Sequence, residues 1–324
     1  MGLTDWLMSN AAKLNLRADK YKWVENWLPG FYDYGAIISV NGKEYSGRGI
    51  DKNEKVAFEK AAAEALERAA VEISHLDMPW STAAYPTLPG AKEKAYYELL
   101  GIDRVLCHHF CKKKMREMSW EETGGFFPDK ILLQNIKSND IGLELYELRS
   151  AKDARSVCAI SSGGGKFKFK GFLAGFGTDK DIESAAAHAV IECIRTAVAC
   201  LFTDYKPKED LEVMKRHGEP RWHFWMAQRS ENLKHLRENL IPSPGKNVAL
   251  EPENISISDV SFSTITSLCE LFPGIPLEFA QARSKKLLTP QFGEFSETAE
   301  VMSRLHTFNG GAVKVEAKIP HFYG

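Results

Sequence analysis

The sequence predicts a mixed α/β fold in which repeated strand-turn-helix units surround a central acidic cleft. One helical pattern, alanine-x3-alanine-x2-glutamate, occurs three times and ends at Glu64, Glu98 and Glu192. The first and third copies also share their approach, a glycine-x-glycine-x-aspartate-lysine segment that begins at Gly47 and at Gly175. Unrelated helices rarely agree in this way. We therefore expect one structural unit, used repeatedly, that places a carboxylate at the same height of each helix.

The composition is that of an ordinary globular protein. The chain has 324 residues, of which 44% are hydrophobic, and we expect an N-terminal helical segment over residues 1–30 followed by one domain over residues 31–324. The 42 Lys and Arg nearly balance the 43 Asp and Glu, so no overall charge draws the protein to nucleic acid or to a membrane surface. No targeting segment or long apolar run is present, and we expect a cytoplasmic protein.

The first half of the chain carries clear signals for successive elements. An amphipathic helix is expected to extend to about Trp27. Tyr34 to Val40 is β-rich and ends at Asn41-Gly42, a strong hairpin signal, so Lys43 to Gly49 should return as its partner strand. A long alanine-rich helix follows from about Asn53 to Ser74.

The remaining elements alternate. A second helix starts near Pro89, strands are expected between about Ile131 and Ile160, and a third helix runs from Asp181 to Phe202. The last 60 or so residues alternate strands with a helix around Ser296 to Leu305. Lys166 to Lys170 alternates lysine with phenylalanine, which fits either an edge strand protected from aggregation or a surface for a peptide or phosphate.

The acids of the repeated helices are the strongest functional signal. Glu64, Glu67 and Arg68 lie on neighbouring turns of one helix face, where they could hold Mg²⁺ and an anion or simply form solvated ion pairs. The helices are alanine-rich, and Glu98 and Glu192 have apolar neighbours, so these carboxylates should stand on packing faces. An unpaired charge there is costly, which favours a shared cation.

A second cluster, Cys107-His108-His109-Phe110-Cys111, has two interpretations. Zinc could bind both thiols with a histidine, but no second pair stands at a finger-like spacing. The alternative is buried thiols with imidazoles on the helix surface. Cys193 and Cys200 are expected in the core, and His223, between two aromatic residues, fits a packed side chain better than a chemical group.

The usual phosphate-binding motifs are missing. The chain has no G-x4-G-K-[ST] loop, and Gly175-Phe176-Gly177 lacks the third glycine of a dinucleotide fingerprint. Magnesium, however, commonly reaches a protein through a few carboxylates together with the phosphates of a nucleotide. Four helix glutamates therefore fit an ATP site of another kind.

These motifs resemble those of the YcaO-domain family over about residues 30 to 300. The first box of the family is similar to Gly47-Arg48-Gly49 followed by Glu64 to Arg68. The second is similar to the segment from Thr82 to Asp103, and the third to the segment from Gly175 to Glu192. Weaker similarity continues through His223 and the region from Ala282 to Gly293.

The resemblance implies an activity and a set of site residues. YcaO proteins bind ATP with Mg²⁺ through carboxylates on such helices and activate a backbone amide oxygen of a peptide. Attack by a Cys, Ser or Thr side chain then gives an azoline, the precursor of a thiazole or oxazole, and attack by sulfide gives a thioamide. Two groups of residues follow by resemblance: metal ligands at Glu64, Glu67, Glu98 and Glu192, and ATP-binding cations at Arg68, His188 and Arg195.

The chain departs from the family pattern inside the nucleotide site. Pro86 and Gly90 replace an asparagine and a glutamate of the second box, and Gly101 and Ile102 replace its second acid and arginine. In the third box, histidine and arginine stand where the family has arginine and glutamine, at His188 and Arg195. The metal ligands are retained while the nucleotide contacts are altered.

Two functions follow. The first is an ATP-dependent cyclodehydratase of ribosomal peptide natural product (RiPP) biosynthesis, acting on a precursor peptide. Since only about 30 residues precede the first box, leader-peptide binding should reside on a separate partner protein. The second is a catalytically inactive YcaO-like scaffold that binds a peptide or a partner enzyme. The peptide, the attacking atom and the oligomeric state, including a homo-oligomer, stay open.

Overall fold

The computed structural model describes most of the chain in two compact units. The first unit comprises Met1–Glu98 and Val260–Arg283, and the second comprises Leu99–Asp259 and Ser284–Gly324. The described residues are 1–22, 24–26, 28–76, 81–124, 130–138, 141–162, 171–202, 211–216, 220–243, 245–246, 248–290 and 295–315.

Helices and antiparallel strands alternate over these residues, as the predicted mixed α/β class requires. The helices are α1 (Leu3–Asn10), α2 (Glu54–Ile73), α3 (Leu88–Cys111), α4 (Lys130–Ser138), α5 (Ile182–Phe202), α6 (Leu211–Arg216), α7 (Pro220–Ala227), α8 (Ser230–Asn239), α9 (Ser267–Leu271) and α10 (Ala299–Asn309). The strands are β1 (Arg17–Lys20), β2 (Tyr32–Val40), β3 (Lys43–Asp51), β4 (Thr82–Tyr85), β5 (Arg116–Met118), β6 (Gly142–Leu148), β7 (Arg155–Ser162), β8 (Phe172–Asp179), β9 (Ser261–Ile265) and β10 (Glu278–Arg283). Among the described residues, no helix is both long enough and apolar enough to cross a membrane.

The first unit contains two small antiparallel sheets, ordered β1-β2-β3 and β4-β10-β9. The predicted hairpin is confirmed, because β2 and β3 pair from Tyr32 opposite Asp51 to Val40 opposite Lys43. Asn41 and Gly42 both have positive φ, 51° and 78°, as a tight primed turn requires. Helix α2 begins after Asn53, whose side chain accepts a hydrogen bond from a backbone N–H and caps the helix.

Two glycines of β3 allow α2 to pack directly against the strand backbone. A Cβ added at Gly47 would lie 2.2 Å from the carbonyl oxygen of Ala61, and one added at Gly49 would lie 2.1 Å from that of Ala57. No side chain fits at such distances. The close approach explains the glycines of the repeated motif and sets how far the helix lies from the strand.

The second unit repeats this arrangement on a four-stranded sheet, ordered β5-β6-β7-β8. Helix α5 packs on β8, where a Cβ at Gly175 would lie 2.3 Å from Ala189 O and one at Gly177 would lie 2.0 Å from Ala185 O. The predicted repetition of a strand-turn-helix unit is therefore present in the backbone.

Two predicted elements are wrong. The opening helix does not extend to Trp27: α1 ends at Asn10, Asn15 has a φ of 44°, and β1 pairs with β2. The segment predicted as the first of several strands after residue 130 is instead α4, in which Leu132 and Ile136 are buried at helical spacing. The lysine-phenylalanine segment, Lys166 to Lys170, lies outside the described residues.

Candidate functional site

A cavity of about 800 Å³ lies in the first unit, between the hairpin, α2, β4 and the start of α3. Its volume is within the range of small-molecule and cofactor sites. Three of the predicted metal ligands line it, as does Arg68. The complete lining is Glu44, Tyr45, Ser46, Glu64, Glu67, Arg68, Val71, Glu72, His75, Leu76, Thr82 and Glu98.

Glu64 is fixed between the strand and its own helix. The backbone N–H of Arg48, in β3, donates to Glu64 Oε2 at 2.6 Å. Arg68, one helical turn later, donates from Nη2 to Glu64 Oε1 at 2.5 Å and from Nη1 to the carbonyl oxygen of Ser46 at 2.7 Å. Arg68 therefore orients the Glu64 carboxylate.

Glu67 is held by β4. The hydroxyl of Thr82 and the backbone N–H of Ala84 donate to its two carboxylate oxygens at 3.2 Å and 3.0 Å. Its pKa is raised well above the ordinary value, first by burial and then by the negative charges of Glu98 and Glu64. The hydrogen bonds oppose this shift without cancelling it, so the ionised side chain needs positive charge nearby.

Glu98 completes the group from α3. Burial is the main cause that raises its pKa to about 7, and repulsion by Glu64 adds to it. The backbone N–H of Ser81 donates to the carboxylate and opposes the shift. Ser81 has a φ of 63°, a conformation that costs energy for a residue with a side chain and that occurs often at functional sites.

The cavity lining is strongly acidic. Two of the five lining glutamates are already paired, Glu44 with Arg17 and Glu72 with Lys43, which leaves three central acids facing Arg68. Two of these three acids have raised pKa values. This imbalance favours a bound cation. No ready-made metal centre of three or more histidine, cysteine or acidic side chains occurs in the described ranges. The donor set suits Mg²⁺, because this ion takes oxygen ligands, keeps several waters and needs few protein carboxylates when phosphates supply the rest.

The third repeat lies in the second unit. Arg195 donates from Nη2 to Glu192 Oε2 at 2.5 Å, an i,i+3 pair within α5, and His188 is exposed one turn earlier. The predicted face carrying an acid with cations beside it is therefore present. That Glu192 joins the three cavity acids in one metal site stays a prediction.

Local packing accounts for part of the departures from the YcaO pattern. A Cβ at Gly90 would lie 2.1 Å from the ring of Tyr85, and one at Gly101 would lie 2.9 Å from Thr178 Oγ1. Ile102 is completely buried. These positions serve packing in this chain, and longer polar side chains do not fit there without local shifts.

The cysteine and histidine cluster of α3 is structural. Cys107 is buried as expected, and its thiol lies 3.6 Å from Asp103 Oδ1, while Cys111 is half-buried with its thiol 3.5 Å from a backbone carbonyl oxygen. The prediction of surface imidazoles is wrong: His108 and His109 are 0% and 4% exposed. The reason is that α3 is buried on every side from Leu99 to Phe110.

Two further core predictions have clear outcomes. Cys193 is fully buried, whereas Cys200 is half-buried. His223 is 2% exposed, with its ring packed edge-on against Trp222 at 4.7 Å between centroids. The interpretation of this histidine as a packed residue is confirmed.

Several residues that hold the acids were missed by sequence reasoning. Arg48, Ser81 and Ala84 contribute backbone N–H groups, which leave no trace in the identity of a side chain. Thr82 contributes its hydroxyl from β4. Its hydroxyl could have been found only by knowing that β4 lies beside α2.

Comparisons with known proteins identify the fold. No family model matches the sequence, and no curated protein is similar to it in sequence. Solved structures do match. YcaO from Methanopyrus kandleri, bound with AMPPCP and Mg²⁺, aligns over 86% of this chain and 89% of its own, with a TM-score of 0.54 and 15% identity.

Two further structures agree with this match. A heterocyclase in complex with substrate and cofactor aligns over 97% of this chain and 56% of its own, with a TM-score of 0.61 and 12% identity. A chain of the E. coli microcin synthetase McbBCD complex aligns over 89% of both chains, with a TM-score of 0.54 and 15% identity. The chain has the fold of YcaO proteins, as the sequence motifs predicted. At these identities the likeness establishes the fold, and function must be argued from the site.

Proposed function

We propose that this protein is a YcaO-type enzyme that uses ATP and Mg²⁺ to modify a backbone amide of a peptide. The reaction proposed is cyclodehydration of Cys, Ser or Thr to an azoline in RiPP biosynthesis. The observation that carries the proposal is the convergence of Glu64, Glu67 and Glu98 on one acidic cavity of about 800 Å³. The same fold in a YcaO protein bound with AMPPCP and Mg²⁺ supports it.

Each residue has a proposed task. Glu64, Glu67 and Glu98 hold Mg²⁺, and Glu192 contributes from the third repeat. Arg68 orients Glu64 and supports phosphate, while Arg195 supplies positive charge and His188 a polar contact for the nucleotide. Bound ATP would supply a phosphoryl group to the amide oxygen of the peptide. That oxygen would then leave as part of inorganic phosphate when the ring forms. The protein mainly positions the reactants and stabilises charge.

The burial of Glu67 and Glu98 fits this task. Their raised pKa values show that two carboxylates beside Glu64 are difficult to ionise without a cation. A divalent ion removes that difficulty and is held where phosphate charge must be neutralised. Hydrogen bonds from Arg48 to Glu64, and from Thr82 and Ala84 to Glu67, hold these two carboxylates in place before a cation binds.

The proposal also includes partners. The match to a chain of the McbBCD complex supports action together with other proteins. The match to a heterocyclase in complex with substrate and cofactor fits an enzyme of this kind, and we propose that the substrate here is a peptide. We assign recognition of the leader segment of a precursor peptide to a separate partner protein.

The test is product formation. The purified protein is incubated with ATP, Mg²⁺ and a pool of peptides containing Cys, Ser and Thr, with the proteins encoded beside it added in turn. Mass spectrometry should detect loss of one water per ring, together with release of phosphate. Glu64→Gln and Glu192→Gln should abolish both signals, and Glu54→Gln, an exposed acid of α2 outside the cavity lining, should retain them. Unchanged product in the first two variants contradicts the proposal, and absence of ATP consumption in every mixture favours the inactive scaffold.

A further inference from the structure

A second cavity, of about 720 Å³, lies in the second unit at the end of α3 and the end of α10. None of its lining residues lines the acidic cavity. The residues that matter for its charge are Lys112, Lys113, Lys114, Arg149 and Glu251. Four cationic side chains thus face one carboxylate, the reverse of the balance in the first cavity.

Carbonyl oxygens, which carry no net charge, engage two of these cations. Lys114 Nζ donates to the carbonyl oxygens of Glu238 and Ile241 at 2.5 and 2.9 Å. Arg149 donates to the carbonyl oxygens of Phe308 and Glu251 at 2.9 and 2.8 Å. These bonds fix the side chains and leave their positive charge in the cavity.

Neighbouring buried acids do not remove this charge either. Asp103 and Glu253 are matched by Arg104 and Arg304 in a buried network of ion pairs. Arg149 reaches Glu253 only at 4.0 Å. Lys113 is exposed and forms no ion pair or hydrogen bond through its side chain within the described part of the chain. The positive charge of Lys113 is therefore available to a ligand.

A buried histidine holds the cationic loop in place. His108 Nδ1 donates to the carbonyl oxygen of Lys113 at 2.9 Å, and His108 Nε2 accepts from the backbone N–H of Arg149 at 2.9 Å. Burial lowers the pKa of His108 to about 4, so the ring is neutral near pH 7. The lysine loop and Arg149 are thus tied together before any ligand binds, which reduces the entropy lost on binding.

The opposite wall offers backbone groups. Val248, Ala249 and Leu250 line the cavity without helix or strand structure. Their N–H and C=O groups form no hydrogen bond with other described residues. An extended peptide can pair with such a segment through its main chain while its side chains reach neighbouring pockets. The side chains of Val248 and Leu250 add apolar surface that a small inorganic anion would not use.

We propose that this cavity binds an acidic, extended peptide segment, with its carboxylates at Lys112 to Lys114 and Arg149 and its backbone along Val248 to Leu250. This proposal does not depend on the nucleotide chemistry of the first cavity. It assigns the second unit a site for an acidic peptide segment, with lining residues that differ from those of the acidic cavity.

Fluorescence anisotropy of the full chain, without nucleotide, tests the proposal. The probe is a labelled peptide that alternates glutamate with valine, compared with the same peptide carrying glutamine at every glutamate. The acidic peptide should bind and the glutamine peptide should not. Lys113→Glu should weaken binding at least about tenfold and Lys113→Gln less. Lys234→Glu, a surface charge of the same unit that lies outside the lining and is 75% exposed, should change it less than about twofold.

Three results would overturn the proposal. The first is equal binding of the two peptides, and the second is no effect of either Lys113 variant. Both variants alter an exposed side chain, and a thermal melt verifies that they are folded. The third is complete displacement of the peptide by inorganic phosphate at concentrations where added chloride of equal ionic strength has no effect, which would identify a small-anion site instead.

Discussion

The two strand-turn-helix repeats share one backbone design, and one of the charge differences between them bears directly on the site. In the first, Gly47 and Gly49 bring β3 against α2, and in the second, Gly175 and Gly177 bring β8 against α5, with Cβ clashes of 2.0 to 2.3 Å in all four cases. The contact between strand glycines and helix alanines therefore sets the position of each helix. The position of the helix in turn sets where Glu64 or Glu192 lies.

The charge difference lies three residues after that glutamate. The first unit has Glu67, a second acid with a raised pKa, and the second has Arg195, which pairs with Glu192. The first repeat thus has two acids for one arginine, Arg68, whereas in the second Arg195 balances Glu192. The same backbone design therefore carries two carboxylates at these two positions in one repeat and an acid paired with an arginine in the other.

The largest effect on stability is expected from substituting the strand glycines that contact the helix backbone. Gly47→Ala and Gly175→Ala should each destabilise the protein by about 3 kcal/mol, because the added methyl group meets backbone atoms that cannot move aside. Denaturant unfolding monitored by circular dichroism measures the change. Gly245→Ala is an imperfect control because of its positive φ, so Gly311→Ala, where no atom lies within 4 Å, is the matched control. A loss below about 1 kcal/mol at either strand glycine would contradict the packing argument.

A smaller effect concerns pH in the acidic unit. The folded-state pKa of Glu98 is about 7, above its unfolded value, so the folded protein binds the extra proton between these values. Stability should therefore fall as pH rises from about 4.5 through 7, by roughly 3 kcal/mol in metal-free buffer. Glu98→Gln should make this fall smaller, and the part that remains is due to Glu67, whose pKa is also raised.

The same titration couples to metal. Carboxylates bind Mg²⁺ in their ionised form, so added Mg²⁺ should stabilise the wild type more at pH 8 than at pH 5. Unfolding midpoints at both pH values, with and without Mg²⁺, provide the measurement. Parallel profiles for the wild type and Glu98→Gln would exclude the proposed coupling.

The smallest effect is expected in the second repeat. Arg195→Gln removes an i,i+3 pair whose glutamate side chain is 42% exposed, and it should cost less than about 0.5 kcal/mol. Unfolding in low and high salt measures it. A loss above about 1 kcal/mol would mean that Arg195 has a larger structural role than its pair with Glu192 explains.

The sequence was informative wherever one residue type answered one physical need. Asn41-Gly42 predicted the hairpin because both positions require positive φ. The alanine pattern predicted α2 and α5 and located Glu64 because close packing needs small residues. The three-residue spacing of Glu64 and Glu67 was enough to predict that both lie on one face of α2.

Other features depend on contacts distant in sequence. Strand β1 is polar, and only its pairing with β2 makes it a strand. The short apolar segment of α4 fits either a strand or a helix. The four-residue spacing of Leu132 and Ile136 identifies a helix only once both are known to be buried. The burial of His108 could not be predicted, because polar residues in a helix usually mark a solvent-exposed face, whereas those of α3 between Leu99 and Phe110 are buried.

The most direct test of the central claim is isothermal titration with a non-hydrolysable ATP analogue, with and without Mg²⁺. We predict binding to the wild type that requires Mg²⁺, that weakens at least about tenfold in Glu67→Gln, and that is unchanged in Glu54→Gln. An affinity for the ATP analogue that is the same without Mg²⁺, or the same in Glu67→Gln, would contradict the claim that the cavity acids hold the cation. No binding to the wild type would contradict the nucleotide site itself.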